Sequence, residues 1–158
     1  PGDNFAWPTF WDHYVDSIFQ CNEICKSFGV KLLVEPRIGE IVSNSDGALA
    51  LAKGIHDDNF GLIFDTAHLY AQKENLALSV AKLHRYIEYI DISDNDGREN
   101  RHLVPGQGRI EWDTFFTCLK HYEVDVPLAS DLEKLPDVPG SFRATRDFLG
   151  NAIRRLAS

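Results

Sequence analysis

The sequence predicts an α/β fold in which an initial helix is followed by four strand–helix units. Short apolar runs rich in β-branched residues alternate with segments whose apolar residues recur at helical spacing. Each of the four runs ends at or near an acidic residue. Because strands that alternate with helices form parallel sheets with right-handed crossovers, we expect a single domain over residues 1–158 with one parallel sheet.

The first helix is predicted to begin at Trp7-Pro8-Thr9 and to end at Gly29. Proline is favoured in the first turn of a helix, and glycine is favoured just after its last turn. The apolar residues that recur at helical spacing are Phe10, Trp11, Tyr14, Ile18, Cys21, Ile24, Cys25 and Phe28. The run from Val30 to Val34 then predicts the first strand, which ends at Glu35.

The second strand is predicted from Phe60 to Phe64, an uninterrupted apolar run typical of a strand covered on both faces. A short helix precedes it, with helix-capping candidates at 43–46 and its end near Ile55. Asp65 ends the strand, and His68 follows three residues later. Taken alone, this pattern favours an aspartate that caps the next segment and a histidine in a loop over a pair of functional residues.

The remaining predicted elements complete the third and fourth units. In chain order they are a helix from about Asn75 to Leu83, a strand from Ile87 to Ile92 with Asp91 near its end, a polar loop over 93–109, a helix from Trp112 to His121, a strand from Val126 to Ser130 that ends at Asp131, and a last helix capped by Ser141.

Four units of this spacing predict a partial (β/α)8 TIM barrel, since about 250 residues form all eight units of a complete one. The chain also lacks methionine. We therefore expect a fragment that supplies half of a barrel. A half-barrel leaves open strand edges, so we expect either a homo-oligomer or the missing half of the barrel to cover them.

The bulk composition argues against a nucleic-acid or membrane partner. The formal net charge is −8, whereas a nucleic-acid partner normally requires a basic surface. No apolar run approaches the roughly 20 residues that cross a bilayer, so we expect no membrane partner. The three cysteines lack metal-site spacing and fit a reducing cytoplasm.

Glu35, Asp65, Asp91 and Asp131 are predicted to meet at one edge of the sheet. The carboxyl ends of parallel strands form the usual ligand-binding edge, and carboxylates placed together there repel one another. A divalent cation with hard oxygen ligands relieves that repulsion, and Mg²⁺ or Mn²⁺ suits an all-carboxylate set. The alternative that two of the four are helix or turn caps stays open.

Several motifs in the expected order resemble the xylose-isomerase-like TIM barrels from about residue 10 onward. They are Glu35-Pro36, Asp65-Thr66-Ala67-His68, Asp91-Ile92-Ser93-Asp94-Asn95-Asp96-Gly97-Arg98 and Pro105-Gly106-Gln107-Gly108-Arg109-Ile110-Glu111-Trp112. That superfamily contains sugar phosphate isomerases and epimerases, ketose 3-epimerases and the endonuclease IV repair enzymes. The resemblance is to strands five to eight of the barrel, which implies that the chain is the C-terminal half of a barrel and that the missing half is the N-terminal one.

The resemblance implies a role for each matched residue. Glu35 would be a metal ligand and one of two acid/base carboxylates, and Asp65 would be a metal ligand. His68 and Arg98 would contact the substrate, and His102 would be a substrate contact or a further ligand. Asp131 would be the metal ligand and second acid/base carboxylate of the last strand, with Glu133 a weaker candidate for that role. Three positions depart from the pattern: Asp91 replaces a histidine ligand, Asp131 replaces a glutamate, and Asn100 replaces an aspartate of the endonucleases.

Together these residues predict a metal-dependent isomerase or epimerase of a small-molecule sugar or sugar phosphate. Its reaction would pass through an enediolate, with Glu35 and Asp131 exchanging the proton. Mn²⁺ or Mg²⁺ is the expected cofactor, with Zn²⁺ or Co²⁺ possible. Two alternatives remain: an endonuclease-IV-like phosphodiesterase, which would need more histidine ligands and a basic face, and a non-catalytic half-barrel remnant.

Overall fold

The computed structural model describes residues 6–157. Its elements, in chain order, are α1 (Trp7–Ser27), β1 (Leu32–Val34), α2 (Ser45–Ile55), β2 (Phe60–Asp65), α3 (Thr66–Ala71), α4 (Leu76–Leu83), β3 (Ile87–Ile92), α5 (Trp112–His121), β4 (Leu128–Ser130) and α6 (Val138–Ala157). An initial helix and four strand–helix units were predicted, and this order confirms them. No helix in the described part of the chain is long and apolar enough to span a membrane.

The four strands form one parallel sheet in the order β1-β2-β3-β4. Each strand pairs with its neighbour in sequence, so the helices between β1 and β4 belong to crossovers between adjacent strands. Within the described residues β1 and β4 are the edge strands, and the sheet does not close on itself. The predicted partial barrel is therefore confirmed as an open four-stranded arc.

The core lies between one face of the sheet and the helices. Leu62 and Phe64 of β2 and Ile90 and Ile92 of β3 are fully buried in it. Residues that alternate with them along the strands, such as Ile63 and Tyr89, lie on the other face and are only half-buried. Since side chains alternate along a strand, this second face is the one that would line the inside of a complete barrel.

Several helix ends agree with the sequence signals. Pro8 lies in the first turn of α1, and Gly29 follows its end with a left-handed φ of +67°. The amide N–H of Val30 donates to the carbonyl of Cys25 and closes that helix end. At the start of α2, the Asn44 side chain accepts from Gly47 N, as the capping candidates in 43–46 predicted.

Other predicted boundaries were wrong for local reasons. The first strand begins at Leu32, because Val30 is used in closing α1. The last strand begins at Leu128, after Pro127, which has no N–H to donate to a sheet. The last helix begins at Val138 rather than after a Ser141 cap. The short helix α3 directly after β2 was not predicted as a separate element.

Candidate metal centre

The carboxyl edge of the sheet brings together six of the side chains singled out by the sequence. We call them the polar cluster: Glu35, Asp65, His68, Asp91, His102 and Asp131. The sheet register explains the carboxylates, since Asp65 pairs with Asp91 and Asp131 directly follows Ser130, which pairs with Ile92. Two overlapping groups have potential ligand atoms within 4.8 Å of one another, namely Glu35 with Asp65 and Asp91, and Asp65 with His68 and His102.

Asp65 is at the centre of the cluster and belongs to both groups. It is fully buried, and its Oδ1 accepts from the backbone N–H of His68 at 2.7 Å, which caps α3. Its Oδ2 is buried with no hydrogen-bond partner. The capping interpretation of Asp65 is therefore correct, and it leaves the second oxygen free for a ligand.

His68 lies in α3, one turn after the strand, and its side chain is almost fully buried. Its Nε2 accepts from Nε of Arg37 at 3.3 Å and is 3.6 Å from Oε1 of Glu35. The Arg37 Nε also lies 3.8 Å from Oε2 of Glu35. Arg37 thus contacts two members of the polar cluster. The sequence places Arg37 two residues after Glu35 but does not predict these contacts.

His102 enters the cluster from the long loop between β3 and α5. Asp94 and Leu103 exchange two backbone hydrogen bonds of 2.7 and 2.9 Å, which fold the loop back onto the end of β3. The Nδ1 of His102 consequently lies 3.0 Å from Oδ2 of Asp131, 3.2 Å from Oγ of Ser93 and 3.9 Å from Oδ2 of Asp65.

The buried carboxylate of Asp94 holds the rest of this loop. It accepts from the backbone N–H groups of Asn95, Gly106 and Ile110 and from Nε1 of Trp112. Trp112 itself is buried and packs against aromatic residues of the core. Asp94 is thus a structural residue that the sequence did not single out from its acidic neighbours.

Thr66 links the ends of β2 and β3 beside the cluster. Its Oγ1 donates to the Ser93 carbonyl at 2.7 Å and accepts from the Ser93 N–H at 3.0 Å. Both residues are fully buried. Since Asp65 precedes Thr66 and Ser93 contacts His102, this pair fixes the spacing between two sides of the polar cluster.

The polar cluster perturbs the pKa values of its members. Burial raises the pKa of Asp65 to about 8, although the His68 N–H opposes the rise; the charges of Glu35, Asp131 and Asp91 add to it. Burial also lowers the pKa of His68 to about 4, helped by His102 and Arg37. The pKa values of Glu35 and Asp91 are raised, mainly by burial. In these four residues the shift of the pKa favours the neutral form of the side chain.

Four buried polar atoms around this site have no hydrogen-bond partner in the described structure. They are Oδ2 of Asp65, Nδ1 of His68, Oδ1 of Asn100 and Nε2 of His102. Unpaired buried polar atoms are rare and costly in folded proteins. Because Nε2 of His68 accepts from Arg37, its Nδ1 carries the proton, whereas the oxygens of Asp65 and Asn100 offer lone pairs. The residues present fit a divalent cation, and the buried group of Asp65, His68 and His102 could hold one.

Arg98 is not brought to the cluster in the same way. It is exposed in the β3–α5 loop, and its backbone N–H donates to Asp96. In the part of the chain that the structure describes, its guanidinium makes no hydrogen bond or ion pair with the polar cluster. Its predicted contact with substrate stays a prediction.

A parallel βα arc with a buried carboxylate and imidazole cluster at its carboxyl edge defines a class of TIM-barrel proteins with a candidate metal site. The sequence matches the family described as xylose isomerase-like TIM barrel over residues 3–151. The chain belongs to that family.

Individual relatives are distant. An uncharacterized protein of Methanocaldococcus jannaschii is 26% identical, over 95% of this chain and 56% of its own length. A D-tagatose 3-epimerase-like protein superposes with a TM-score of 0.76 at 23% identity, over 95% of this chain and 60% of that one. The IolI protein, solved with a bound zinc atom, superposes with a TM-score of 0.78 at 20% identity, over 89% of this chain and 55% of that one. The chain thus spans a little over half the length of these relatives.

Proposed function

We propose that this chain carries the metal-binding and proton-transfer residues of a sugar or sugar phosphate isomerase or epimerase. The observation that carries the proposal is the polar cluster, with its unpaired buried lone pairs, at the carboxyl edge of the sheet. Solved neighbours of similar fold include several sugar 3-epimerases, which supports a sugar substrate at this edge. Since the chain covers part of such barrels, the proposal concerns the reaction of the whole enzyme.

We place the divalent ion against Oδ2 of Asp65, because Asp65 is common to both ligand groups. When bound, the ion polarises the substrate carbonyl and stabilises negative charge on its oxygen. The group with Glu35 and Asp91 offers only oxygen ligands, which suit Mn²⁺ or Mg²⁺. The group with His68 and His102 suits Zn²⁺ or Co²⁺. The metal that the protein binds most tightly therefore indicates which of the two groups of ligands holds it.

Glu35 is the proton-transfer residue that we propose for the first step. It would take a proton from the carbon next to the carbonyl, leaving an enediolate. Its burial raises its pKa, which makes the carboxylate a better base and brings it nearer to neutral pH. Arg37, 3.8 Å away, opposes that rise and holds the ionised form in place. His68 and Arg98 would bind substrate oxygens.

The proposal is tested by exchange of a carbon-bound proton with solvent deuterium. The chain is incubated in D₂O with Mn²⁺ or Mg²⁺ and a panel of ketoses and ketose phosphates, and proton NMR follows the signal next to the carbonyl. We expect exchange that stops on chelation and falls by about 100-fold or more in Glu35→Gln. Glu40→Gln, an exposed carboxylate on the same loop, is the control and should exchange normally.

Two results would contradict the proposal. One is exchange at the wild-type rate in Glu35→Gln, which would remove Glu35 from the proton transfer. The other is exchange that persists after the metal is chelated, which would remove the metal from the reaction.

An endonuclease-IV-like phosphodiesterase is the second candidate, favoured by one observation. The polar cluster contains two buried imidazoles whose ring centroids are 4.9 Å apart, and histidine-rich sites suit the zinc that such enzymes require. The net charge of −8 opposes a nucleic-acid substrate. Cleavage of a duplex carrying an abasic site, dependent on Zn²⁺ and on His68, would decide in favour of this second candidate.

A further inference from the structure

Arg37 donates a hydrogen bond into the polar cluster from an exposed position. Its Nε–H donates to Nε2 of His68 at 3.3 Å, and the same Nε lies 3.8 Å from Oε2 of Glu35. The side chain of Arg37 is 56% exposed, whereas that of His68 is 3% exposed. A permanently charged group therefore contacts a buried imidazole that is one of the potential metal ligands.

We propose that Arg37 is a positioning residue that fixes the tautomer of His68 and keeps this imidazole out of the coordination sphere of the metal. The arginine side chain has only donors, so Nε2 of His68 is the acceptor and the ring proton lies on Nδ1. A neutral imidazole has one nitrogen lone pair available to a donor or a metal, and Arg37 occupies it here. Neither ring nitrogen of His68 is then free for an ion.

The same contact leaves His68 with an unused donor. Nδ1 of His68 is buried and has no hydrogen-bond partner in the described structure. A buried N–H without a partner is costly, and an oxygen of a bound ligand would relieve that cost. Arg37 thus assigns His68 to the substrate contact that the resemblance implies, and withholds it from the metal.

Glu35 can still bind the ion, although Arg37 is close to it as well. A carboxylate has about four lone-pair sites on its two oxygens, so it can interact with Arg37 and also coordinate a metal. The group of ligands with only oxygen atoms therefore keeps all its members, whereas the group that contains His68 loses one. Arg37 consequently favours Mn²⁺ or Mg²⁺ over Zn²⁺ or Co²⁺. The inference rests on the metal site of the proposed function but not on its reaction.

The experiment compares the full chain with Arg37→Met, which removes the donor and its charge from an exposed position. Long-range nitrogen–proton NMR of the metal-free protein at neutral pH reports the His68 tautomer, with its signals assigned by their loss in His68→Gln. Competition with a chelating dye gives the Zn²⁺ and Mn²⁺ affinities, whose ratio cancels any effect of charge common to both ions. We expect the proton on Nδ1 in the wild type and loss of that single tautomer in Arg37→Met. We also expect the ratio to shift towards Zn²⁺ by about tenfold or more, because an imidazole joins the ligands.

The Co²⁺ complex tests the coordination of His68 directly. A ligating histidine gives a strongly shifted imidazole N–H signal in proton NMR of a protein that holds this paramagnetic ion. We expect no such signal from His68 in the wild type. Arg37→Met should show one, which should disappear when His68→Gln is added.

Arg101→Met is the matched control, because Arg101 directly precedes His102 and is similarly exposed, at 51%, with its ion pairs to Glu99 and Asp96. It should leave both the His68 tautomer and the ratio of affinities unchanged. A shifted His68 signal in the wild-type Co²⁺ complex would overturn the inference, and so would an unchanged tautomer or an unchanged ratio in Arg37→Met. If neither the wild type nor Arg37→Met binds a metal, the metal site of the proposed function fails, while the tautomer measurement still decides the role of Arg37.

Discussion

At the scale of single residues, Asp65 determines how the metal-free protein responds to pH. Its pKa is about 8 in the folded chain against an ordinary value of 3.8, so between these values the folded state holds a proton that the unfolded state has lost. Stability from this group therefore falls as pH rises. His68, with its pKa lowered to about 4 from 6.5, acts in the opposite direction, but only between those two values.

Of these two groups, only Asp65 is protonated differently in the folded and unfolded states between pH 6.5 and 8. In chelator-treated protein we expect the free energy of unfolding to fall with a slope of up to about 1.4 kcal/mol per pH unit, or a few degrees in Tm. Thermal unfolding followed by circular dichroism measures it. Asp65→Asn, which keeps a capping side chain, should remove the slope. The exposed Asp58→Asn should retain it; a slope that survives in Asp65→Asn would assign the titration elsewhere.

Asp91 is the residue at which this chain departs most clearly from its family pattern. We expect Asp91→His to raise the affinity for Zn²⁺ and Co²⁺ relative to Mg²⁺ by about tenfold or more, because an imidazole replaces a hard oxygen ligand. Calorimetric titration of each metal checks this. If Asp91→His changes no affinity while Asp65→Ala abolishes binding, Asp91 is not a ligand and the site is built from the remaining residues.

The sequence predicted where the carboxylates lie but not how the histidines are oriented. Asp65 and Asp91 could be placed because strand ends in a parallel sheet share an edge, and their pairing is local to two strands. The placement of His102 depends on the backbone pairing of Asp94 with Leu103 inside a long loop, which no periodicity indicates. The contact of Arg37 with His68 likewise depends on tertiary packing.

At the scale of elements, helix α3 shows the same limit. Its six residues are too few to display an apolar period, so only the capping potential of Asp65 indicated it. The strand β2 before it was predicted almost to the residue, because a continuous apolar run between turn residues has few other interpretations. A helix or strand was predictable where its sequence pattern was local and long enough to be recognised.

The β3–α5 loop gives a prediction at this scale through Gly108. A Cβ at this position would lie 2.6 Å from the backbone oxygen of Asn95 and would also collide with the Asp94 carboxylate. We expect Gly108→Ala to destabilise the protein by about 1–3 kcal/mol or more and to weaken metal binding by displacing His102. Urea unfolding and dye competition measure the two effects.

Gly150→Ala provides the comparison for that variant. Gly150 lies in helix α6, and its nearest neighbour to an added Cβ is the flexible end of Arg154 at 3.6 Å. This change should be neutral or stabilising by up to about 1 kcal/mol, since alanine is the better helix former. Equal destabilisation by both substitutions would show that the loop is not tightly packed around Gly108.

At the scale of the whole molecule, the sheet has one face without a covering layer in the described structure. Leu33, Ile63 and Tyr89 lie on that face and are half-buried, and the edges of β1 and β4 are unpaired there. The polar cluster sits at the rim of the same face. The described residues therefore enclose the polar cluster from one side only, as expected for a chain that spans a little over half the length of its relatives.

We expect this face to drive association of the isolated chain. Open strand edges and exposed apolar patches favour pairing, and a second copy offers four further parallel strands that could continue the arc from each edge. Light scattering after size exclusion, across micromolar to millimolar concentrations, should give a mass above that of one chain. Ile63→Glu should shift it towards the single chain, whereas Ile153→Glu, exposed on α6, should not. A well-behaved single chain at every concentration would mean that the face is stable without a partner.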